Sequence, residues 1–421
     1  MHGYQKAIRN SKYLLKWLFA AAIIGAAGGI GAFGLKTSIS FIERISSKLP
    51  LWLAPAAGGI IVSIFLLWDY NAAGNGTDSF INAVNKFDGR IPFKMGISKL
   101  IATAATLGFH GSGGLEGPVL VIGGAIGNSL AGIPFTRDLF KTKSKLLTIC
   151  GAAGALGAIF HSPLGGGIFV VELVSHSSLH YAYLFPAVLS STMGYVAFGS
   201  LMGGAPMFQI PSYLPNISDL PWFVAAGILG GLLALLFIYS FRYIDKYFKK
   251  ISCRFLRPVI GGILTGIVLL FRPEVAGTGL ALIQQLIFDS GVIETAIIVL
   301  LLAKILATCF TVGSGQSAGL VIPSLFIGSL GGMLIAAVVG GLPPQLYASL
   351  IVACMTAVLA GTANVPIAAA VMLSEMAGLA AAVPAAVGSV VGYAVAHSQV
   401  IYSEAVDVSD MNSIDTSSEV H

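Results

Sequence analysis

The sequence predicts an all-α polytopic membrane protein of two inverted-topology repeats, whose broken, re-entrant helices meet near the membrane midplane. Three observations carry this reading. Only 10% of the residues are charged and 56% are hydrophobic, with a mean hydropathy of +0.88, whereas a soluble globular chain carries about 25% charged residues. Distinctive residues recur between the two halves at a nearly constant offset. Glycine-rich breaks interrupt the apolar runs at matching places in both halves, and in a membrane such irregular backbone survives only where protein or a water-filled path satisfies it.

Taken in order, apolar runs long enough for the roughly 30 Å hydrocarbon layer include Trp17 to Gly34, Trp222 to Tyr239, Thr295 to Val312 and Ser324 to Leu342. The basic arm ahead of the first run (Lys6, Arg9, Lys12, Lys16) would suit a secretory leader. No small-residue cleavage site leads into a soluble domain, so that run is read as a span. A second basic cluster comprises Arg242, Lys246, Lys249, Lys250, Arg254 and Arg257. The positive-inside rule places both clusters in the cytoplasm. Leu201 to Pro221 holds four prolines and neither lysine nor arginine, and is read as an external loop. The expected organisation is a transport domain over 1–402, with repeat one at about 17–200, the loop at about 201–221 and repeat two at about 222–402. A polar, acidic tail follows at 403–421, expected to be disordered. Cys150, Cys253, Cys309 and Cys354 are scattered without a CxxC pair. They indicate neither a disulfide framework nor a metal site, and no cofactor is called for.

The repeat is legible residue by residue. Pro118, Leu120, Ile122, Gly123 and Gly127 recur as Pro323, Leu325, Ile327, Gly328 and Gly332, each 205 positions later, and Lys99 recurs as Lys304 at the same offset. Pro163 and Glu172 recur as Pro366 and Glu375, 203 positions later. A single duplication of this size suggests a transporter with its site between pseudo-symmetric halves. The breaks are Gly74 to Gly76, Gly111 to Gly117 and the segment before Pro163 in the first half, and Gly313 to Gly319 and the segment before Pro366 in the second. Their small neighbours also permit close helix packing, which for any single glycine is the plainer explanation. Lys304 is read as an interhelical tie, and Glu172 and Glu375 as structural or vestibule-facing rather than ion-coordinating.

The stretch Gly111 to Gly132 (GSGGLEGPVLVIGGAIGNSLAG) places one acid, Glu116, between glycine-rich backbone and an apolar helix expected to start at Pro118. Uncovered N–H groups and the positive end of the helix dipole make such a terminus an anion site. A carboxylate there competes with a bound anion for the same donors, and intramembrane acids are functional by default.

These residues resemble the CLC family of chloride channels and proton-coupled chloride exchangers, of the prokaryotic type without CBS domains, over about Trp17 to Tyr402. Leu115, Glu116, Gly117 and Pro118 resemble its G-x-E-G-P signature, whose glutamate is the external gate and proton acceptor. Gly319 to Pro323 resemble its G-x-F-x-P signature, and Tyr402 is similar to the tyrosine that coordinates the central anion. The resemblance implies an anion site formed by Asn75, Gly117, Leu320, Val321 and Tyr402, with Lys99 in support. It also implies a homodimer with one path per subunit, in a prokaryotic inner membrane with both termini cytoplasmic. Three departures stand out. Gly74-Asn75-Gly76-Thr77-Asp78 replaces the family's G-S-G-x-P loop, and in the family substitution of that serine goes with other anions, including nitrate and fluoride. An asparagine amide can still donate to an anion. Val321 replaces the usual phenylalanine. Leu173 stands where the exchangers' internal proton-transfer glutamate would follow Glu172.

The implied function is chloride transport, as a chloride/proton exchanger. The alternatives are a passive chloride channel, because of Leu173, and an exporter of fluoride or another anion, because of Asn75. An intramembrane enzyme is the alternative from another class. It is disfavoured because His110, His161 and His397 have no identifiable Ser or Asp partner and no HExxH spacing occurs. The expected partners are chloride or another halide, protons, the lipid bilayer and a second copy of the chain, with no nucleic acid.

Overall fold

The computed structural model describes residues 2–131, 144–175, 181–211, 213–288 and 294–402. The expected tail at 403–421 lies outside them, as do the side chains of the basic N-terminal arm. The first half runs α1 (His2–Ser46), α2 (Ala54–Trp68), α3 (Thr77–Lys86), α4 (Phe93–Gly108), α5 (Glu116–Ala131), α6 (Ser144–Ile159), α7 (Gly165–Ser175) and α8 (Tyr181–Met202). The second half runs α9 (Leu220–Lys249), α10 (Leu256–Phe271), α11 (Leu280–Phe288), α12 (Glu294–Gly313), α13 (Val321–Val339), α14 (Pro344–Ala363), α15 (Pro366–Ala377) and α16 (Ala382–Ala396). Each helix has a counterpart eight places later. Among the described residues seven helices are long and apolar enough to cross a membrane, and several shorter helices are also apolar.

The helix expected to begin at Pro118 begins two residues earlier, at Glu116, and its repeat counterpart begins two residues ahead of Pro323, at Val321. Proline is tolerated at the third position because the N–H groups of a first turn have no intrahelical acceptor to lose. The segment between the halves is non-helical over 203–211 and 213–216 and ends in a 3₁₀ turn, Ile217–Asp219, with Asn216 N donating to the Asp219 carboxylate at 2.7 Å.

In each half one helix forms the centre. Helix α14 is buried along its length and packs against α9, α13 and α16, while α6 packs against α1, α5 and α8. At α5 against α6 the backbones touch: a methyl on Gly123, Gly127 or Gly151 would run into backbone of the facing helix, so small residues set the interhelical distance. The same holds where Gly328 and Gly332 meet α14.

The halves meet through their counterparts. Helix α2 packs on α10 and α7 on α15. The Glu172 carboxylate accepts from Ile367 N (3.1 Å) and Ala368 N (2.6 Å) at the start of α15. Glu375 reciprocates at the start of α7, accepting from Leu164 N (3.0 Å), Gly165 N (2.8 Å) and Ser162 Oγ (2.5 Å). Both acids are thus helix caps exchanged between repeats, placed where the helix dipole favours a negative charge.

Glu375→Ala strips the α7 terminus of its acceptor. It is expected to lower stability by about 1.5–3 kcal/mol, the range for a charge-assisted bond, as read from denaturation of the detergent-solubilised protein, with Glu375→Gln losing less.

Candidate functional site

The two glycine-rich breaks face each other where the halves meet. Gly114 and Gly319, repeat counterparts, form an antiparallel bridge with N–H to carbonyl distances of 2.7 Å in both directions. Threonine and serine pairs pin the loops on either side of it. Ser317 N donates to Thr106 Oγ1 and Ser112 N to Thr311 Oγ1, both at 3.1 Å. The hydroxyls of Thr103 and Ser317 meet at 2.8 Å, and those of Ser112 and Thr308 at 3.0 Å. All six residues are fully buried. They were missed in the sequence, yet each pair recurs at the same offset of 205 that relates the prolines, and that recurrence was the available signal.

At this bridge the Glu116 side chain, fully buried, turns back across the pseudo-symmetry axis. Its Oε1 accepts from Val321 N at 2.6 Å, in the first turn of α13. The N–H groups of Ile322, Leu115 and Glu116 itself also bear on the carboxyl, whereas Oε2 has no hydrogen-bond partner. Glycine at 319 and 114 is required by this approach: a Cβ at either position would collide with the carboxyl. A carboxylate therefore fills the space between two helix N-termini, where an anion would find donors.

The remaining predicted residues surround this point in layers. Gly117 packs directly on the Asn75 carbonyl and the Thr77 hydroxyl, with no room for a side chain. Thr77 is fully buried, and Tyr402, 2% exposed, lies beside its hydroxyl with Glu116 in electrostatic reach. Leu320 caps α13 through its backbone. The Asn75 amide is engaged at both ends by Asp78: Asn75 Nδ2 donates to Asp78 Oδ2 (2.9 Å), and Asn75 Oδ1 accepts from Asp78 N (3.1 Å). Thr77 and Asp78 belong to this layer through contacts that their sequence neighbours did not disclose.

Lys99 does not reach Glu116. Fully buried, its ammonium donates to the carbonyls of Ala72 (2.9 Å), Ala73 (3.2 Å) and Gly74 (2.6 Å), and so holds the loop that carries Asn75. Lys304 does the same in the second half, on Val275 (3.2 Å), Gly277 (3.0 Å) and Thr278 (3.4 Å). Tyr402 is placed from the other side: Ile401 N donates to Thr362 O (3.0 Å), and Arg242 bonds Gln399 Oε1 (2.6 Å) and the Val400 carbonyl (2.5 Å). Leu173 is fully buried in the apolar core. His110 is a packing residue, with Nε2 3.4 Å from Ser46 Oγ.

A cavity of about 240 Å³ leads toward this layer from the side of the second basic cluster, lined by Asn75, Asp78, Arg242, Asp245, Lys249 and Arg257 among others. The family profile described as voltage gated chloride channel matches residues 65–397. An uncharacterized protein of Methanocaldococcus jannaschii is 32% identical over 392 residues, covering 92% of this chain and 95% of that protein. The H(+)/Cl(-) exchange transporter ClcA of Vibrio cholerae serotype O1 is 28% identical over 394 residues, covering 85% of this chain and 81% of ClcA. In structure the chain is similar to a CLC-type fluoride/proton antiporter, with a TM-score of 0.81 at 20% identity, over 93% of this chain and 98% of the other.

Gly319→Ala places a methyl where the Glu116 carboxyl lies. The expected outcome is a carboxyl displaced from Val321 N, seen in an experimental structure of that variant.

Proposed function

The chain belongs to the voltage-gated chloride channel family, integral membrane anion transporters, and from that premise we propose that it is a chloride/proton exchanger gated by Glu116. One observation carries the reading: the Glu116 carboxylate holds Val321 N–H, a first-turn donor of the kind a permeating anion would use. Ionised, the side chain occupies the anion's place. Protonated, it has less hold on the donor and an anion displaces it. Asn75, Gly117, Leu320, Val321 and Tyr402 then form the anion-binding layer, with Lys99 keeping the Asn75 loop in position. The transport unit spans 1–402 and works as a homodimer with one path per subunit. It lies in a prokaryotic inner membrane with both termini and the basic cluster in the cytoplasm.

Leu173 favours a second reading, a passive chloride channel, because an aliphatic side chain neither accepts nor donates a proton. The same assay decides between the two. In proteoliposomes a chloride gradient is expected to drive protons uphill through the wild type; chloride flux without uphill proton movement would select the channel instead. Parallel flux with fluoride tests the substrate, since the chain is similar both to a fluoride/proton antiporter and to an H(+)/Cl(-) exchange transporter.

Glu116→Gln is expected to abolish proton movement in this assay while anion flux persists, because a neutral amide carries no exchangeable acid proton. Unchanged proton flux in that variant would remove Glu116 from the coupling.

A further inference from the structure

Resting on the transport reading, we propose that Asp78 is a second proton-linked residue of the transport path, competing with the anion for the Asn75 amide from the basic-cluster side. Asp78 lies in the first turn of α3, and its carboxylate takes a hydrogen from Asn75 Nδ2 at 2.9 Å while its own N–H holds Asn75 Oδ1 at 3.1 Å. The pairing repeats the arrangement of Glu116 on Val321 N. In both, a carboxylate of the chain occupies a donor placed to serve an anion, one at the bridge between the halves and the other at the cavity wall.

The placement supports the pairing. Asn75 and Asp78 both line the 240 Å³ cavity, which reaches solvent beside Lys249, whose side chain is 67% exposed. Behind Asn75 the wall is one residue thick, since the Asn75 carbonyl and Thr77 hydroxyl abut Gly117, the neighbour of Glu116. Protons taken up by Asp78 come from the water of that cavity and return to it, so no relay through Leu173 is needed.

Among the described residues, the charged and titratable groups around Asp78 have the following partners. From α9, Asp245 is paired with Lys249 at 2.7 Å, and Arg242 is bound to Gln399 and Val400. From α10, Arg257 is bound to the Lys249 and Ile251 carbonyls. Tyr70 lies on the cavity wall. Lys99 of α4 and Tyr402 are within electrostatic reach. Glu116 of α5 is engaged with Val321, and Glu172 of α7 with the start of α15. Arg242, Lys249 and Arg257 on the cavity wall make it attractive to anions, and the Asp78 carboxylate opposes entry at its inner end.

The sign follows from the geometry. Ionised Asp78 accepts from Nδ2 and repels the anion. On protonation it loses most of its power to accept, the amide turns its N–H to the anion, and affinity rises as pH falls. The limiting slope for one linked proton is about tenfold per pH unit.

The test uses full-length Glu116→Gln, which removes the other carboxyl, and measures chloride affinity by calorimetry across roughly pH 4 to 8, a span covering the ordinary titration of aspartate. Affinity is expected to fall with rising pH. The fall is expected to vanish in Glu116→Gln/Asp78→Asn and to return in Glu116→Gln/Asp78→Glu. It is expected to shrink in Glu116→Gln/Asn75→Ala, where the Asp78 charge remains and only the contested donor is gone; a slope undiminished there would mean charge repulsion alone and overturn the competition. A flat profile in Glu116→Gln itself overturns the proposal even if the aspartate variants do not fold. Wild-type proteoliposomes passing neither chloride nor fluoride would overturn the transport reading instead, so the two failures are told apart.

Discussion

The hydrogen bond from Val321 N to the Glu116 carboxylate is the contact around which the rest of the site is arranged. An ionised carboxylate removed from water costs several kcal/mol unless it is bonded. Here it gains a charge-assisted bond worth about 1.5–3 kcal/mol and the field of a helix N-terminus, up to about 2 kcal/mol in a partly buried setting. One oxygen is satisfied and the other is not. A group so balanced is held in place without being locked, which is what a displaceable competitor of an anion requires. The contact also dictates its surroundings, because the carboxyl fits only while positions 114 and 319 carry no side chain.

Pseudo-symmetry explains why this bond exists. Val321 is the repeat counterpart of Glu116, as Gly319 is of Gly114. Residues close to a twofold axis meet their own counterparts, so the acid of one half necessarily faces the equivalent backbone of the other. The polar chemistry differs where the symmetry is broken. The loop held by Lys99 reads Gly74-Asn75-Gly76-Thr77-Asp78, whereas that held by Lys304 reads Gly277-Thr278-Gly279-Leu280-Ala281. Both lysines grip three carbonyls, but only the first loop presents an amide and a carboxylate. The scaffold is duplicated and the polar chemistry is not.

The buried hydroxyl pairs and the exchanged glutamate caps serve the same end. Broken helices inside a membrane leave first-turn N–H groups that lipid cannot satisfy. Glu172 and Glu375 satisfy those of α15 and α7 reciprocally, and Thr106 and Thr311 those of the facing loops. Each half is therefore incomplete without the other. The termini left uncapped by such groups, at α5 and α13, are the ones on which the Glu116 carboxyl converges.

Composition alone determined that the chain lives in a membrane, and the 205-residue offset alone determined that it is two related halves with breaks at Gly111 to Gly117 and Gly313 to Gly319. The identity of Glu116 as the singular acid was legible too, because a carboxyl among glycines before an apolar helix is rare and costly. The partners of these residues were not legible. Whether the Asn75 amide faces an anion or Asp78, and whether Lys99 meets Glu116 or three carbonyls, depends on side-chain directions at distances under 4 Å between segments far apart in the chain. Only the tertiary structure brings residue 116 to residue 321. The physical reason is that a periodic pattern records which faces are buried, while the donor that each buried polar atom finds is settled by how two whole halves dock.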